Sequence, residues 1–200
     1  MKSFTFRGLE LVTCAGLVMT PRPASEKLVS AAIALAGDQP TRVVDVGTGS
    51  GAIAIAIAAA LPQAEVFATD TSAAAVALAR LNVARVGLSS RVIVLRGNLL
   101  DPISGSVDLI VANLPYLPIT EAARRPELAN EPPEAVFAPG DGLGPYRSLI
   151  AASRRQLSHD GTLVIQFHGQ VLTATRVTLD LLLSTLAGRT PAAGQFPVAA

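Results

Sequence analysis

The sequence predicts an α/β fold: a doubly wound, mostly parallel sheet with helices on both faces and a short N-terminal β-hairpin. Three observations predict it. Short runs rich in Val and Ile alternate with helix-length segments along the chain, and such alternation builds right-handed βαβ units whose parallel strands are covered on both faces. The run at 42–51, RVVDVGTGSG, breaks into Gly47, Gly49 and Gly51 and then opens an apolar helical stretch. Polar residues stand at or just past the ends of the strand candidates, at Asp45, Asp70, Asn98 and Asn113, and open α/β sheets bind ligands beyond the carboxyl ends of their strands.

Taken in order, residues 4–18 carry two apolar patches, FTF and LELV, with Gly8 and Gly16 as turn residues, which reads as a small hairpin. Thr20-Pro21-Arg22-Pro23 stops it. Ser25 is expected to cap a helix through residue 36, ended by Gly37-Asp38-Gln39-Pro40. Val43, Val44 and Val46 form a buried strand, and 52–61 a helix that Pro62 terminates. The second strand is 65–70, EVFATD, and Ser72 caps a helix to about residue 86. Strands at 92–95, 107–112 and 162–167 follow, and then a last helix over 172–186. Residues 113–144 hold Pro115, Pro118, Pro126, Pro132, Pro133 and Pro139 with no convincing period, so they read as a structureless flap over a substrate pocket. The chain divides into a hairpin and linker (1–23), one domain (24–187) and a fraying tail (188–200).

Composition narrows the function classes. Two hundred residues, half of them apolar, suffice for one sizeable core. A net charge of +1 leaves no electrostatic footprint for nucleic acid, and the arginines are scattered. Cys14 is the lone cysteine, so no intrachain disulfide forms; with only His159 and His168 beside it, no metal pattern exists. This composition suits a reducing cytoplasm. The longest apolar run, 52–61, is well short of the ~20 residues of a membrane helix. Residues 11–19 loosely imitate a signal peptide, but Glu10 and Thr13 interrupt the pattern and no A-x-A site follows.

The glycine run carries the first chemistry. Glycine permits a sharp turn through conformations that a Cβ opposes, and lets backbone approach a ligand closely. The spacing is G-x-G-x-G, and the last glycine of the dinucleotide spacing G-x-G-x-x-G would fall at Ala52, which disfavours a nicotinamide cofactor. Asp70 closes the next strand with a carboxylate suited to a ribose diol. The second stretch is 107–116, VDLIVANLPY, a buried strand running directly into Asn113-Leu114-Pro115-Tyr116.

Together these residues resemble the class I S-adenosylmethionine-dependent methyltransferases with a Rossmann-like sheet, in particular the HemK-type protein-(glutamine-N5) methyltransferases. Residues 20–26 (TPRPASE) resemble their PRPETE segment, 45–51 their cofactor loop, Asn113 to Tyr116 their NPPY, Glu131-Pro132 their EP element and 140–143 their DGL turn. The similarity covers 4–187 in order. Methylases of a glutamine in a large-subunit ribosomal protein share most of it.

The resemblance implies that Asp45, Gly47, Thr48, Gly49, Ser50, Gly51 and Asp70 hold the methionine part and ribose of S-adenosyl-L-methionine. It assigns Asn98 and Leu99 to the adenine, with Asn113 at the cofactor's edge, and makes S-adenosyl-L-homocysteine the product. It implies that Asn113, Leu114, Pro115 and Tyr116 hold the target glutamine, with Asn113 and Tyr116 catalytic, and that the partner is a protein with an exposed glutamine, nucleic acid entering only through a ribosome or release factor. The chain departs from the pattern at Asn98, where an Asp is usual, at Leu114 for the first proline, and at Gln166 for a Glu. It also lacks a counterpart to the family's helical docking domain, and of the two expected terminal antiparallel strands only 195–198 is a candidate.

An amide nitrogen is a poor nucleophile because its lone pair is delocalised, so positioning is the main lever. The Asn113 side-chain oxygen and the Leu114 carbonyl can each accept one N–H of the target amide, with Tyr116 against its flat face and Pro115 fixing the backbone between. Plainer readings stand beside these: Asn113 as a turn cap, Tyr116 as a core aromatic, Asp45 as the loop's anchor. His159 reads as solvent-exposed and His168 as a satisfied polar residue. Two other functions compete: an amino methyltransferase acting on adenine N6 or another nucleic-acid or small-molecule amine, and an inactive cofactor-binding module acting with a partner chain.

Overall fold

The computed structural model describes residues 1–39 and 41–188. Pro40, the tail beyond 188 and the strand candidate at 195–198 lie outside the described residues. The chain opens with β1 (Lys2–Phe6) and β2 (Leu9–Thr13), then α1 (Pro23–Ala36), β3 (Arg42–Val46), α2 (Ala52–Ala60), β4 (Glu65–Asp70), α3 (Ala73–Arg85), β5 (Val92–Arg96) and β6 (Val107–Ala112). There follow β7 (Leu117–Pro118), α4 (Pro133–Val136), β8 (Phe137–Ala138), α5 (Gly144–Gln156), β9 (Leu157–Phe167), β10 (Gln170–Thr175) and α6 (Leu179–Gly188).

The central sheet has six strands in the order β10-β9-β6-β3-β4-β5. All neighbours are parallel except β10, which returns antiparallel to β9. Side chains alternate across β3, so Val43 packs with α1, α2 and α3 through Leu28, Ile55 and Val83, while Val44 and Val46 pack with α5 and α6 through Leu149, Ile150 and Leu182. Buried on both faces, β3 and β6 have to be nearly continuous apolar runs, as they are. The strand order reverses at β3, between β4 and β6, and that is where a crevice opens.

Four expectations need correction. Ser25 does not cap the first helix: α1 begins at Pro23 with Arg22 at the cap position, and Ser25 is buried in its first turn. Proline at the first helical position already supplies the fixed φ and lacks an N–H to satisfy. The fifth long strand starts at Leu157, not 162, running through an irregularity opposite Val107 and Leu109. Residues 172–186 are not one helix, because 170–175 form β10 and a 3-10 turn at 176–178 precedes α6. An antiparallel strand therefore comes before the last helix. Finally, 113–144 is not structureless: β7 pairs with β8, and Leu128, Val136 and Phe137 make a small separate core with Met19 and Leu117. The hairpin itself ends at Thr13, and 14–18 form a turn in which the Cys14 carbonyl accepts from Leu17 and Val18 N–H at 3.1 and 3.0 Å.

Because that small core is separate from the main one, it is expected to open independently. Phe137→Ala removes its largest side chain, a loss of about 3–5 kcal/mol in a well-packed core. Trypsin should then cut after Arg124 at least about tenfold faster, while the main thermal transition stays within a few degrees. Equal loss of stability throughout the domain would show that the flap and main core fold as one.

Candidate active site

A cavity of about 270 Å³ lies across the carboxyl ends of β3, β4, β5 and β6. Gly47, Thr48, Gly49 and Ser50 form one wall, Asp70 and Thr71 the next, Asn98 and Leu99 a third, and Asn113, Leu114 and Pro115 the last. Asp70 is tied in place by both oxygens: Oδ2 accepts from Gly49 N–H and Oδ1 from Ser72 N–H, each at 2.9 Å. A carboxylate has about four acceptor positions, so each oxygen retains one for a diol. Leu99 adopts φ +48° and its carbonyl accepts from Thr69 Oγ1 at 2.8 Å, which fixes the turn after β5. The Gly47–Gly51 turn has positive φ at all three glycines.

Asp45 does not face this cavity. It is fully buried under the turn, where Oδ2 accepts from Thr48 Oγ1 at 2.6 Å and Ala54 N–H at 3.1 Å, and Oδ1 has no partner among the described residues. Burial pushes its carboxyl up to about 7; the two hydrogen bonds pull the other way, and the Asp70 charge adds to the rise. The crevice therefore collects Asp70, Asn98 and Asn113, and Asp45 anchors the turn from below. Gly51 also stays outside the cavity wall: it caps α2, and a Cβ there would lie 3.1 Å from Ala79 Cβ.

The 113–116 turn is held from several sides. Asn113 Nδ2 reaches Ser25 Oγ at 3.5 Å, and among the described residues Asn113 Oδ1 accepts no hydrogen bond. Leu114 N–H donates to the Tyr146 hydroxyl at 3.1 Å, and that hydroxyl gives its proton to the Gln166 carbonyl at 2.5 Å. The Leu114 carbonyl sits 3.2 Å from the same hydroxyl. Behind the turn, a Cβ on Gly142 would fall 2.2 Å from the Tyr116 carbonyl oxygen, so the 140–143 turn needs glycine at this point to press against the chain leaving Tyr116. Asp141 fixes that turn by accepting from Leu143 N–H and pairing with Arg147.

Tyr116 lies outside the cavity wall, half-buried, its ring centroid 5.2 Å from Phe167 and 4.8 Å from His168. Burial raises its hydroxyl above the ordinary value, with Arg22 and Arg125 opposing. Gln166 is buried with Oε1 unpartnered, and His159 is exposed at the β9 bend. Several site residues were not foreseen. Leu17, Val18 and Met19 close the cavity from the hairpin's exit, Pro132 and Ala135 from the flap, and Ser25 from α1. Tyr146 was missed as well; its only sequence signal was its place three residues after Leu143 of the DGL turn, within an amphipathic helix.

Comparison with known proteins follows this geometry. The methyltransferase small domain family matches residues 23–126. A release factor glutamine methyltransferase of Deinococcus radiodurans is 41% identical over 157 residues, covering 78% of this chain and 56% of that protein. Its counterpart in Gloeobacter violaceus is 45% identical over 156 residues, covering 74% of this chain and 54% of that protein. The chain thus spans little more than half the length of these relatives. Among solved structures, a ribosomal protein L11 methylase of Lactobacillus delbrueckii superposes with a TM-score of 0.57 at 25% identity, covering 90% of this chain and 78% of that one.

The raised Asp45 carboxyl has a consequence for stability. A group whose folded pKa lies above its unfolded value contributes stability below the unfolded pKa that is lost as pH rises through the folded one. The contribution of Asp45 should therefore fall between about pH 4 and about pH 7, by up to about 4 kcal/mol. Asp45→Asn keeps an acceptor for Thr48 and Ala54 but cannot ionise. Urea unfolding should find the difference between native chain and variant moving in the variant's favour over that window. Parallel pH profiles would show that the carboxyl titrates normally.

Proposed function

The chain belongs to the methyltransferase small domain family, and from that membership we propose that it moves a methyl group from S-adenosyl-L-methionine to a planar amide nitrogen, the side chain of a protein glutamine in a release factor or ribosomal protein. Its site of action is the cytoplasm, and among the described residues no helix is long and apolar enough to cross a membrane. The observation that carries the reading is that one cavity joins a glycine turn with its Asp70 carboxylate to the Asn113-Leu114-Pro115 turn. A cofactor cradle and an amide-holding turn have to share such a space for methyl transfer to be direct.

The residues present fit the cofactor. Residues 47–49 line the cavity, Asp70 keeps free acceptor positions for a ribose diol, and Asn98 with Leu99 offers a polar edge and an apolar face to adenine. When bound, S-adenosyl-L-methionine supplies an electrophilic methyl group on a sulfonium. Everything else is positioning. Asn113 Oδ1 and the Leu114 carbonyl accept the two N–H groups of the target amide and so fix the plane of its nitrogen. Accepting both protons also keeps the amide from rotating, the entropic part of catalysis. The ring of Tyr116, braced by Phe167 and His168, borders the approach. No side chain has to remove a proton beforehand, because the nitrogen becomes acidic as the new N–C bond forms and the proton leaves to water.

Calorimetry should find affinity for S-adenosylhomocysteine and none for NADH or NADPH, and a radiolabelled methyl assay should find label on a Gly-Gly-Gln peptide or ribosomal protein and not on DNA. Label on DNA alone would transfer the reading to nucleic-acid amines; cofactor binding with no transfer would leave an inactive module. Asn113→Ala should leave S-adenosylhomocysteine affinity within a few-fold and lower turnover at least about a hundredfold, since the amide loses both a partner and its orientation. Tyr146→Phe, which leaves Leu114 N–H buried without its partner, should lower kcat about tenfold with cofactor affinity unchanged. Normal turnover in either variant would put the acceptor elsewhere.

A further inference from the structure

Asn82 is an unexpected residue to find on the inward face of the last turn of α3. It is fully buried on a helix otherwise facing inward with Ala75, Val76, Leu78, Ala79 and Val83, and a buried amide is retained only where its hydrogen bonds are met. They are met across three elements. Asn82 Oδ1 accepts from Val12 N–H at 2.9 Å, and Nδ2 donates to the Val12 carbonyl at 2.9 Å and the Ser50 carbonyl at 2.8 Å. The side chain thus completes β2 as a neighbouring strand would, and its second N–H holds the glycine turn between Gly49 and Gly51.

The hairpin meets the same turn a second time. Val18, at its exit, lies 3.6 Å from where a Cβ on Gly49 would be, and with Leu17 and Met19 it lines the cavity. Val12 and Val18 pack together with Ala75 and Leu78 of α3. We propose that Asn82 is a positioning residue that couples docking of the N-terminal hairpin to the cofactor turn, so that ligand binding and hairpin closure are thermodynamically linked. The hairpin is then part of the cofactor site, joined to the turn by the Asn82 amide as well as by the Val18 contact. Linkage of this kind is reciprocal: whatever closure adds to ligand affinity, the ligand adds to closure.

This inference rests on the proposed cofactor, and hydrogen exchange with S-adenosylhomocysteine as probe tests both separately. In the native chain the ligand should slow exchange of the Leu11 and Val12 amides by a factor of one plus the ratio of ligand concentration to Kd, about a hundredfold at a concentration a hundred times Kd if undocking abolishes binding. In Asn82→Ala, affinity should fall about tenfold or more and exchange of the buried Leu11 amide, which Asn82 does not bond, should become insensitive to ligand, while the Val44 amide in the central strand stays protected. A merely structural Asn82 would weaken Leu11 and Val44 alike and leave the ligand's effect on Leu11 intact, which would overturn the coupling. So would native Val12 exchange that ignores a bound ligand, a result that needs no variant to fold. No binding by the native chain would overturn the cofactor reading, and the coupling with it.

Discussion

Three missing Cβ atoms, at Gly47, Gly49 and Gly51, are what the rest of this structure depends on. A Cβ on Gly47 would lie 2.7 Å from Leu114 Cδ2, one on Gly49 would touch Val18, and one on Gly51 would lie 3.1 Å from Ala79 Cβ. Gly47 and Gly51 therefore admit neighbours that a Cβ would crowd, the 113–116 turn and α3, while Gly49 lies at ordinary contact distance from the hairpin exit. All three have φ between +55° and +82°, which a side chain would also oppose. Alternate spacing along a tight turn sends successive positions toward different neighbours, so one loop collects three elements that are remote in sequence.

That convergence explains the burial beneath it. The turn feeds α2, which is buried along nearly its whole length, so the loop cannot relax outward and the carboxyl of Asp45 is sealed below it. Desolvation then dominates the behaviour of Asp45, although Thr48 and Ala54 satisfy one of its oxygens. Asp70, at the end of the neighbouring strand and half-buried, borders the cavity and accepts from Gly49 and Ser72 N–H. The two carboxylates thus differ in burial, and only the more exposed one reaches the cavity wall.

The parallel strands and the glycine turn were legible because fully buried strands and positive-φ turns leave strong local marks. Other features depend on tertiary context. Two hairpins in the molecule use the same device, a pair of positive-φ residues ending in glycine: Arg7-Gly8 at φ +49° and +78°, and His168-Gly169 at +47° and +76°. Such two-residue turns match the twist of the strands they join. The first was readable between its alternating patches. The second was hidden because residues 172–186 also carry a helical apolar pattern, although Val171, Thr173 and Thr175 are β-branched and suit a strand. Asp70, Asn98 and Asn113 were legible as strand-end residues, whereas Ser25, Asn82 and Tyr146 act through hydrogen bonds to segments 20 to 88 residues away, and no local pattern marks such a partner.

Leu114 shows how a departure from a family pattern can be absorbed. A proline in that position would stiffen the acceptor turn by locking φ, but it would have no N–H to offer. Here the N–H exists and is used: it donates to a tyrosine hydroxyl that is itself fully buried and bonded to β9. The leucine side chain then closes over Gly47, where only a glycine leaves it room. Rigidity that a ring would supply covalently is supplied by one hydrogen bond and one close packing contact, and both tie the acceptor turn to other parts of the site. The position of residue 114 therefore depends on Tyr146 and on Gly47 at once, through one hydrogen bond and one packing contact.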